Sequence, residues 1–541
     1  MKKAVKILSV LLCLCMMLSL GACSGDSGSS AANPDAASGA PGGEASQADE
    51  GETSAGGVLR IGAAVQVESL GHPGTTTTSQ ELFASSPAVE TLCRYDQTGT
   101  LTPWLCKSYE TDSDALTLTV VLNEGIEFHD GTPFNAEAVK ANWEDFIASG
   151  RNELASIESI EVTDEYTVVA HLNAWDNAIA DNALYLAGQM VSPTYLEENG
   201  AEAAARNPVG TGPYVFKEWQ TGVSTVYGRN DNYWIEGQPY LDGIEIIYFA
   251  DATTLTSAFS SGEVDVLYQA NSDQYAMFNE AEGISSINGD YVMGTSFLGL
   301  FFDCTSETSP TADLNVRKAI CYGIDMDAIC DAIQGNGHIV RTNQWSPAGS
   351  WSWNPDTEGY PYSVEDAKAA LAESAYPDGC TVKFVYTTSP MWKMVGEIMQ
   401  AQLSEVGITV ELEEIDQTRS DEMSGIGGHW DGVFMSAGRG EPDIAPIYAR
   451  TFMEDGVRYV GGMLHPDDVA ELINGARSAT TFEEKAEISK ELSKTIIDDY
   501  CMVDPVGCQL FITYAYDYVQ DSGITLNHAN IWTPESAKIV K

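Results

Sequence analysis

One stretch constrains the fold of this chain more than any other: residues 380–413, CTVKFVYTTSPMWKMVGEIMQAQLSEVGITVELE. Val382, Phe384 and Tyr386 recur at every second position, the period of a strand. Met391, Met394, Val395, Ile398 and Ala401 then recur at helical spacing, and Gly407 stops the helix. After it, Ile408, Val410 and Leu412 alternate with Thr409, Glu411 and Glu413 as a second strand. Strand, helix and strand make a βαβ unit, so this part of the chain is committed to α/β packing. The methionine stripe reads as core packing rather than as a ligand surface.

The same grammar recurs elsewhere. Leu116, Leu118, Val120 and Leu122 alternate with Thr117, Thr119 and Val121, which predicts a half-buried strand running into IEFHDGTPF. His129 and Asp130 could be a base with its carboxylate, or two metal ligands. Neighbours in a strand, however, point to opposite faces and cannot converge on one atom. Asp-Gly followed by Pro is turn chemistry. Beyond the turn, Asn135 is a predicted N-cap, with Val139, Trp143 and Phe146 on one helical face. Ser363 with Asp366 predicts another helix start, and Ile488, Leu492 and Ile496 mark a helix near the C-terminus. No repeat of fixed period occurs.

The first 22 residues carry Lys2, Lys3 and Lys6 ahead of an apolar run too short for a comfortable membrane span, which reads as an export signal. It ends in Leu20-Gly21-Ala22-Cys23, which resembles a bacterial lipobox and makes Cys23 the expected lipidation site. Residues 24–57 are nearly all small or polar, with no aromatic residue, and read as a flexible linker. The expected address is therefore the extracytoplasmic face of the cell membrane, with the folded body held by a lipid anchor. The net charge of −52 excludes nucleic acid and anionic lipid surfaces as partners. Eight cysteines follow Cys23; their spacings match no zinc pattern and leave the pairing open.

Catalytic chemistry finds no anchor. The seven histidines include no HExxH or HxH spacing, so no metal site is expected. Gly210-Thr211-Gly212 is followed by Pro213 rather than by a Lys-Ser/Thr pair, so it reads as a tight turn into a strand from Tyr214. No Gly-x-Ser-x-Gly elbow occurs. Neither a catalytic residue nor a cofactor is predicted.

Several segments, in order, resemble the family 5 extracellular solute-binding proteins, the peptide- and nickel-type receptors of ABC importers. They are GIEFHDGTPFNAEAV, NPVGTGPYVFKEW, RNDNYWIEGQPYLDGIEI, SGEVD, NVRKAICYGIDMDAI, YSVEDAKAALAE and LSEVGITVELEEID. The resemblance implies an α/β, two-lobed periplasmic-binding-protein-like fold of the class with an extra domain: three domains, a hinge, and a ligand cleft between the lobes. It implies domain I from residues 58–100, 206–293 and 512–541, domain II from 101–205 and domain III from 294–511. It also implies a binder rather than an enzyme. The partners would be a small-molecule or peptide ligand and the ABC permease subunits with their ATPase. The alternatives are the same fold binding a non-peptide solute, such as an oligosaccharide, an anionic compound or a metal chelate, or a solute sensor; a secreted glycan or peptide hydrolase would need a nucleophile or acid/base motif that the sequence lacks.

Two segments stand out as expected ligand contacts. Trp345, Trp351 and Trp353 lie within nine residues broken by Pro and Gly, which places them in a loop where a solute could be stacked. The other is Ser436-Ala437-Gly438-Arg439-Gly440-Glu441-Pro442-Asp443. Peptide-binding relatives usually carry here an Asp that pairs with the α-ammonium; this chain has Gly438 and Arg439 instead. Arg439 would fork onto a carboxylate, phosphonate or sugar hydroxyl pair, and unblocked dipeptides are expected to bind poorly.

Overall fold

The chain is described, as a computed structural model, over residues 56–541 apart from positions 66, 77, 97, 288–295, 334–337, 439, 511, 525–531, 533 and 541. The expected export segment, Cys23 and most of the linker lie outside the described residues.

Three main sheets organise the folded body. The largest has seven strands in the order Ile284–Ser286, Ile512–Tyr516, Val266–Ala270, Val58–Ala63, Gly243–Tyr248, Ser224–Arg229 and Tyr214–Gln220. Its Val58–Ala63 strand is parallel to both neighbours. A six-stranded sheet runs His338–Arg341, Val503–Leu510, Ser296–Phe302, Gly432–Gly438, Cys380–Thr387 and Ile408–Ile415. The third is antiparallel: Cys106–Asp112, Thr117–Leu122, Thr167–Leu172 and Ile157–Asp164. A separate apolar core packs against each.

The predicted βαβ unit closes one edge of the six-stranded sheet, with Cys380–Thr387 parallel to Ile408–Ile415 and the helix Pro390–Val406 between them. Gly407 ends that helix in the left-handed region, φ 99°. The buried stripe is Trp392, Val395, Gly396, Met399, Leu403 and Val406, whereas Met391, Met394 and Ile398 are only partly buried and Ala401 is exposed. The sequence places the stripe too far round the helix because it weights Met391 and Met394 above Trp392, whose indole packs into the core. The helix Ala136–Ala148 buries Val139, Trp143 and Phe146, and the Asn135 side chain accepts from the Ala138 amide at 3.0 Å.

The chain passes between the cores of the seven-stranded and antiparallel sheets at 89–92 and again at 188–191. The two crossings lie side by side: the Leu92 amide donates to Gly188 O at 2.9 Å and the Met190 amide to Glu90 O at 2.9 Å. Glu90 sits at this passage, 2 % exposed. Its carboxylate accepts from Trp104 Nε1 (2.8 Å), Tyr233 OH (2.8 Å), Thr211 Oγ1 (2.9 Å) and Trp234 Nε1 (3.1 Å). Arg94 adds a charge-assisted contact at 3.4 Å and lies over the Trp104 ring. Burial pushes the Glu90 carboxyl up, while Arg94 and the ring of donors oppose it.

The IEFHDGTPF segment docks on the same assembly. The His129 amide donates to Gly210 O at 2.8 Å, and its Nε2–H donates to Gly212 O at 2.9 Å. A Cβ on Gly210 would stand 2.1 Å from Ala88 O, so only glycine lets the Gly210-Thr211-Gly212 turn approach the crossing chain so closely. Asp130 accepts from the Thr132 amide and hydroxyl and from Ser192, which makes it a turn residue. Burial holds His129 neutral and lowers its pKa to about 4. Unfolded, the imidazole takes a proton near pH ~6.5. Its contribution to stability is therefore complete above that pH and is lost as pH falls towards 4. The advantage of wild type over His129→Gln is expected to shrink by about 2 kcal/mol between pH 7.5 and 5. Melts of both proteins at the two pH values check this, and a constant gap would contradict it.

Candidate functional site

Between the antiparallel-sheet unit and the six-stranded-sheet unit lies a cavity of about 670 Å³, within the range that holds small ligands. From the first side come Tyr95 and Leu101 on a two-stranded ribbon, Tyr109 on Cys106–Asp112, and Trp175 and Asp181 from the segment after Thr167–Leu172. From the second come Trp351, the turn Glu441-Pro442-Asp443, and Phe482 and Lys485 at the start of the helix Phe482–Lys494. A neighbouring cavity of about 1020 Å³ shares Trp175, Asn177, Asp443 and Lys485 with it, so the two form one cleft. The sides touch at its margins: Trp175 Nε1 donates to Ala479 O at 3.0 Å, the Trp351 amide to Thr98 O at 3.3 Å, and Asn177 to Ala476 O.

Charge is concentrated at one place in this cleft. Lys485 is 7 % exposed, yet its ammonium meets Asp443 Oδ2 at 2.6 Å. Burial pulls its pKa down, but Asp443 and Asp181 outweigh that and the net shift is upward. Asp181 ends a short helix that widens into a π turn over Asn182–Leu186, and it accepts from Tyr95 OH at 2.6 Å. Burial raises the Asp181 carboxyl, opposed by Lys485 and Tyr95. The second carboxylate oxygen of Asp443 is buried and has no hydrogen-bond partner. A buried acceptor without a donor costs on the order of 1–3 kcal/mol, a cost that a donor placed in the cavity would relieve. The aromatic side chains are apolar walls: Trp351 meets Phe482 edge-on with ring centroids 5.3 Å apart, and the Lys485 ammonium lies 5.8 Å from the Trp351 ring centroid.

The residues expected from sequence are dispersed. Trp351 is on the cavity wall. Trp345 is 2 % exposed and packs against Phe301, Tyr448 and Phe452, inside the core of the six-stranded unit rather than on the wall. Trp353 is half-buried and does not line the cavity. Gly438 ends the strand Gly432–Gly438, is half-buried beside the Trp345 ring, and does not line the cavity. Arg439 lies outside the described residues. The irregular loop folds back over the sheet, and apolar burial takes one indole inward while its neighbour faces the cleft.

Lys485, Asp443 and Asp181 were not foreseen. Asp443 follows Pro442 by one residue, in a segment that was singled out; Lys485 and Asp181 carry no local signal, being one Lys and one Asp among many. Glu441, Asp443 and Asp181 line the first cavity beside Lys485, so it presents carboxylates to a free amine, while Arg450 and Arg477 line the neighbouring one. Among the described residues, no group of three or more His, Cys, Asp or Glu is placed to hold a metal ion, and no helix is long and apolar enough to cross a membrane.

Residues 100–457 match the bacterial extracellular solute-binding proteins, family 5. The glutathione-binding protein GsiB of Pectobacterium atrosepticum is 29 % identical over 360 residues, covering 64 % of this chain and 68 % of that protein. GsiB of Escherichia coli O1:K1 is 30 % identical over 363 residues, covering 64 % and 69 %. The crystal structure of the ABC transporter substrate-binding protein CtaP from Listeria monocytogenes superposes with a TM-score of 0.75 at 20 % identity, covering 90 % of this chain and 100 % of that one. With the family match spanning well over half of the sequence and the same two-lobed fold around an interlobe cavity, the chain belongs to the family 5 extracellular solute-binding proteins, the non-enzymatic substrate-binding components of ABC importers.

Proposed function

We propose that this protein is anchored to the outer face of the membrane through Cys23 and captures a zwitterionic, peptide-type solute for an ABC permease. The observation that carries the solute class is the unpartnered buried oxygen of Asp443 beside Lys485. An ammonium group supplies the missing donor, Asp181 shares its charge, and Lys485 has spare N–H groups for the solute's carboxylate. Trp351, Phe482 and Trp175 then take apolar side chains out of water. Resemblance to the glutathione-binding GsiB proteins supports the same class, because glutathione too carries an amine and carboxylates.

Titration calorimetry with glutathione and trialanine tests the reading against N-acetyl-trialanine and a neutral oligosaccharide. Binding of a free-amine peptide is expected, with acetylation weakening it by about 10²-fold, the cost of leaving a buried carboxylate unpaired. Tight binding of the sugar, with no response to any peptide, would refute it. The anchor is tested by Cys23→Ser, which should move the protein out of the membrane fraction.

A further inference from the structure

Eight cysteines follow Cys23, and in the fold four of them meet in two sulfur–sulfur contacts. Cys93 and Cys106 Sγ are 3.3 Å apart, and Cys321 and Cys501 Sγ are 3.4 Å apart. We infer that Cys93–Cys106 and Cys321–Cys501 are two disulfide-forming pairs, oxidised as the chain folds outside the cytoplasm, while Cys304, Cys330, Cys380 and Cys508 stay as thiols. The compartment rests on the export reading proposed above; the pairing rests on geometry.

Backbone contacts fix each pair. The Trp104 and Cys106 amides both donate to Leu92 O at 3.0 Å, and the Leu105 amide reaches Thr91 O at 3.4 Å, so the two short segments bearing Cys93 and Cys106 are laced together on either side of the sulfurs. Cys321 lies on the helix Leu314–Gly323. One turn earlier, buried Arg317 donates to Cys501 O at 2.9 Å and Tyr500 O at 2.8 Å, which clamps the loop carrying Cys501 against that helix. Bringing either pair to bonding distance moves the sulfurs by only about 1.3 Å, within reach of side-chain torsion.

The other four sulfurs have different surroundings. Those of Cys304, Cys330 and Cys508 are directed at the carbonyls of Phe302, Val506 and Gln509. Cys380 begins a strand and is half-buried.

All four paired residues are at most 1 % exposed. An oxidant cannot reach them in the folded protein, which places the reaction in folding. A disulfide partner, such as oxidised glutathione or a thiol–disulfide oxidoreductase, supplies the oxidising equivalents. One cysteine thiolate attacks the partner's disulfide and expels a thiolate; the second cysteine thiolate attacks the mixed disulfide and expels the other. Each pair loses two protons and two electrons, and one partner disulfide becomes two thiols. The Cys93–Cys106 bridge ties down the root of the ribbon that presents Tyr95 and Leu101 to the cavity.

The full-length chain, reduced, unfolded and refolded with oxidised glutathione, is alkylated and mapped by mass spectrometry without reduction. Two cross-linked peptides are expected, Cys93 with Cys106 and Cys321 with Cys501, with the other four thiols alkylated. Cys93→Ala and Cys321→Ala should each lose only their own bridge. A bridge to Cys304, Cys330, Cys380 or Cys508, or no bridge in wild type, would overturn the pairing. Protein isolated from the native membrane is mapped alongside: free thiols there, with both bridges in the refolded sample, would uphold the pairing and count against the export reading.

Discussion

Glu90→Ala is expected to loosen the passage between the seven-stranded and antiparallel sheets without touching the solute cavity. The variant leaves the donors of Trp104, Tyr233, Trp234 and Thr211 facing a void, and strips Arg94 of one of its two carboxylate partners, the other being Glu535. Removing one member of a buried, hydrogen-bonded charge assembly costs about 3–5 kcal/mol. The effect is local to the passage, so a site-resolved measurement reads it directly. Amide exchange is such a measurement: the amides of Leu92, Met190 and Gly212, which hold the crossings together, should exchange at least ~10²-fold faster. Exchange unchanged at those amides would show that the carboxylate is dispensable. The cavity walls include neither Glu90 nor its donors, so solute affinity measured well below the melting temperature should be nearly that of wild type.

Lys485→Met should have the largest effect on binding. It removes the described cation of the cavity and leaves Asp443 and Asp181 without it. For trialanine, whose carboxylate is proposed to meet that ammonium, affinity should fall by about 10²-fold. For trialaninamide, which has no such carboxylate, the two proteins should bind alike. The comparison separates a contact from a structural role: if both peptides lose affinity equally, Lys485 only holds Asp443 in place. If neither does, the solute's anion sits elsewhere in the cleft.

The His129-Asp130 pair shows how far a short motif can be read. Its turn chemistry and the opposed directions of neighbouring side chains argued for architecture, and the contacts to Gly210, Gly212, Thr132 and Ser192 are architectural. What the motif could not reveal was its partner, the Gly210-Thr211-Gly212 turn some eighty residues later, nor the buried Glu90 on which that turn is bonded. The family resemblance had united these segments by order along the chain; their hydrogen bonds supply the physical reason that they occur together.

By itself the sequence determined what period and punctuation encode. The βαβ unit, the Asn135 and Ser363 caps, and the left-handed stop at Gly407 depend on residues within a few positions of one another, where backbone geometry leaves few choices. Only tertiary structure decided the site. Tyr95, Asp181, Trp351, Asp443 and Lys485 come from widely separated segments, and no local pattern distinguishes them from other residues of their types. In the Trp345–Trp353 loop, irregular backbone has no period from which a facing direction can be read. Trp345 went to the core and Trp351 to the cleft because of what each met when the loop folded over the sheet. Charge behaves likewise: an acidic chain has carboxylates everywhere, and Asp443 and Asp181 stand apart only because folding sets them beside the buried Lys485, where the lower dielectric strengthens each charge's effect on the others.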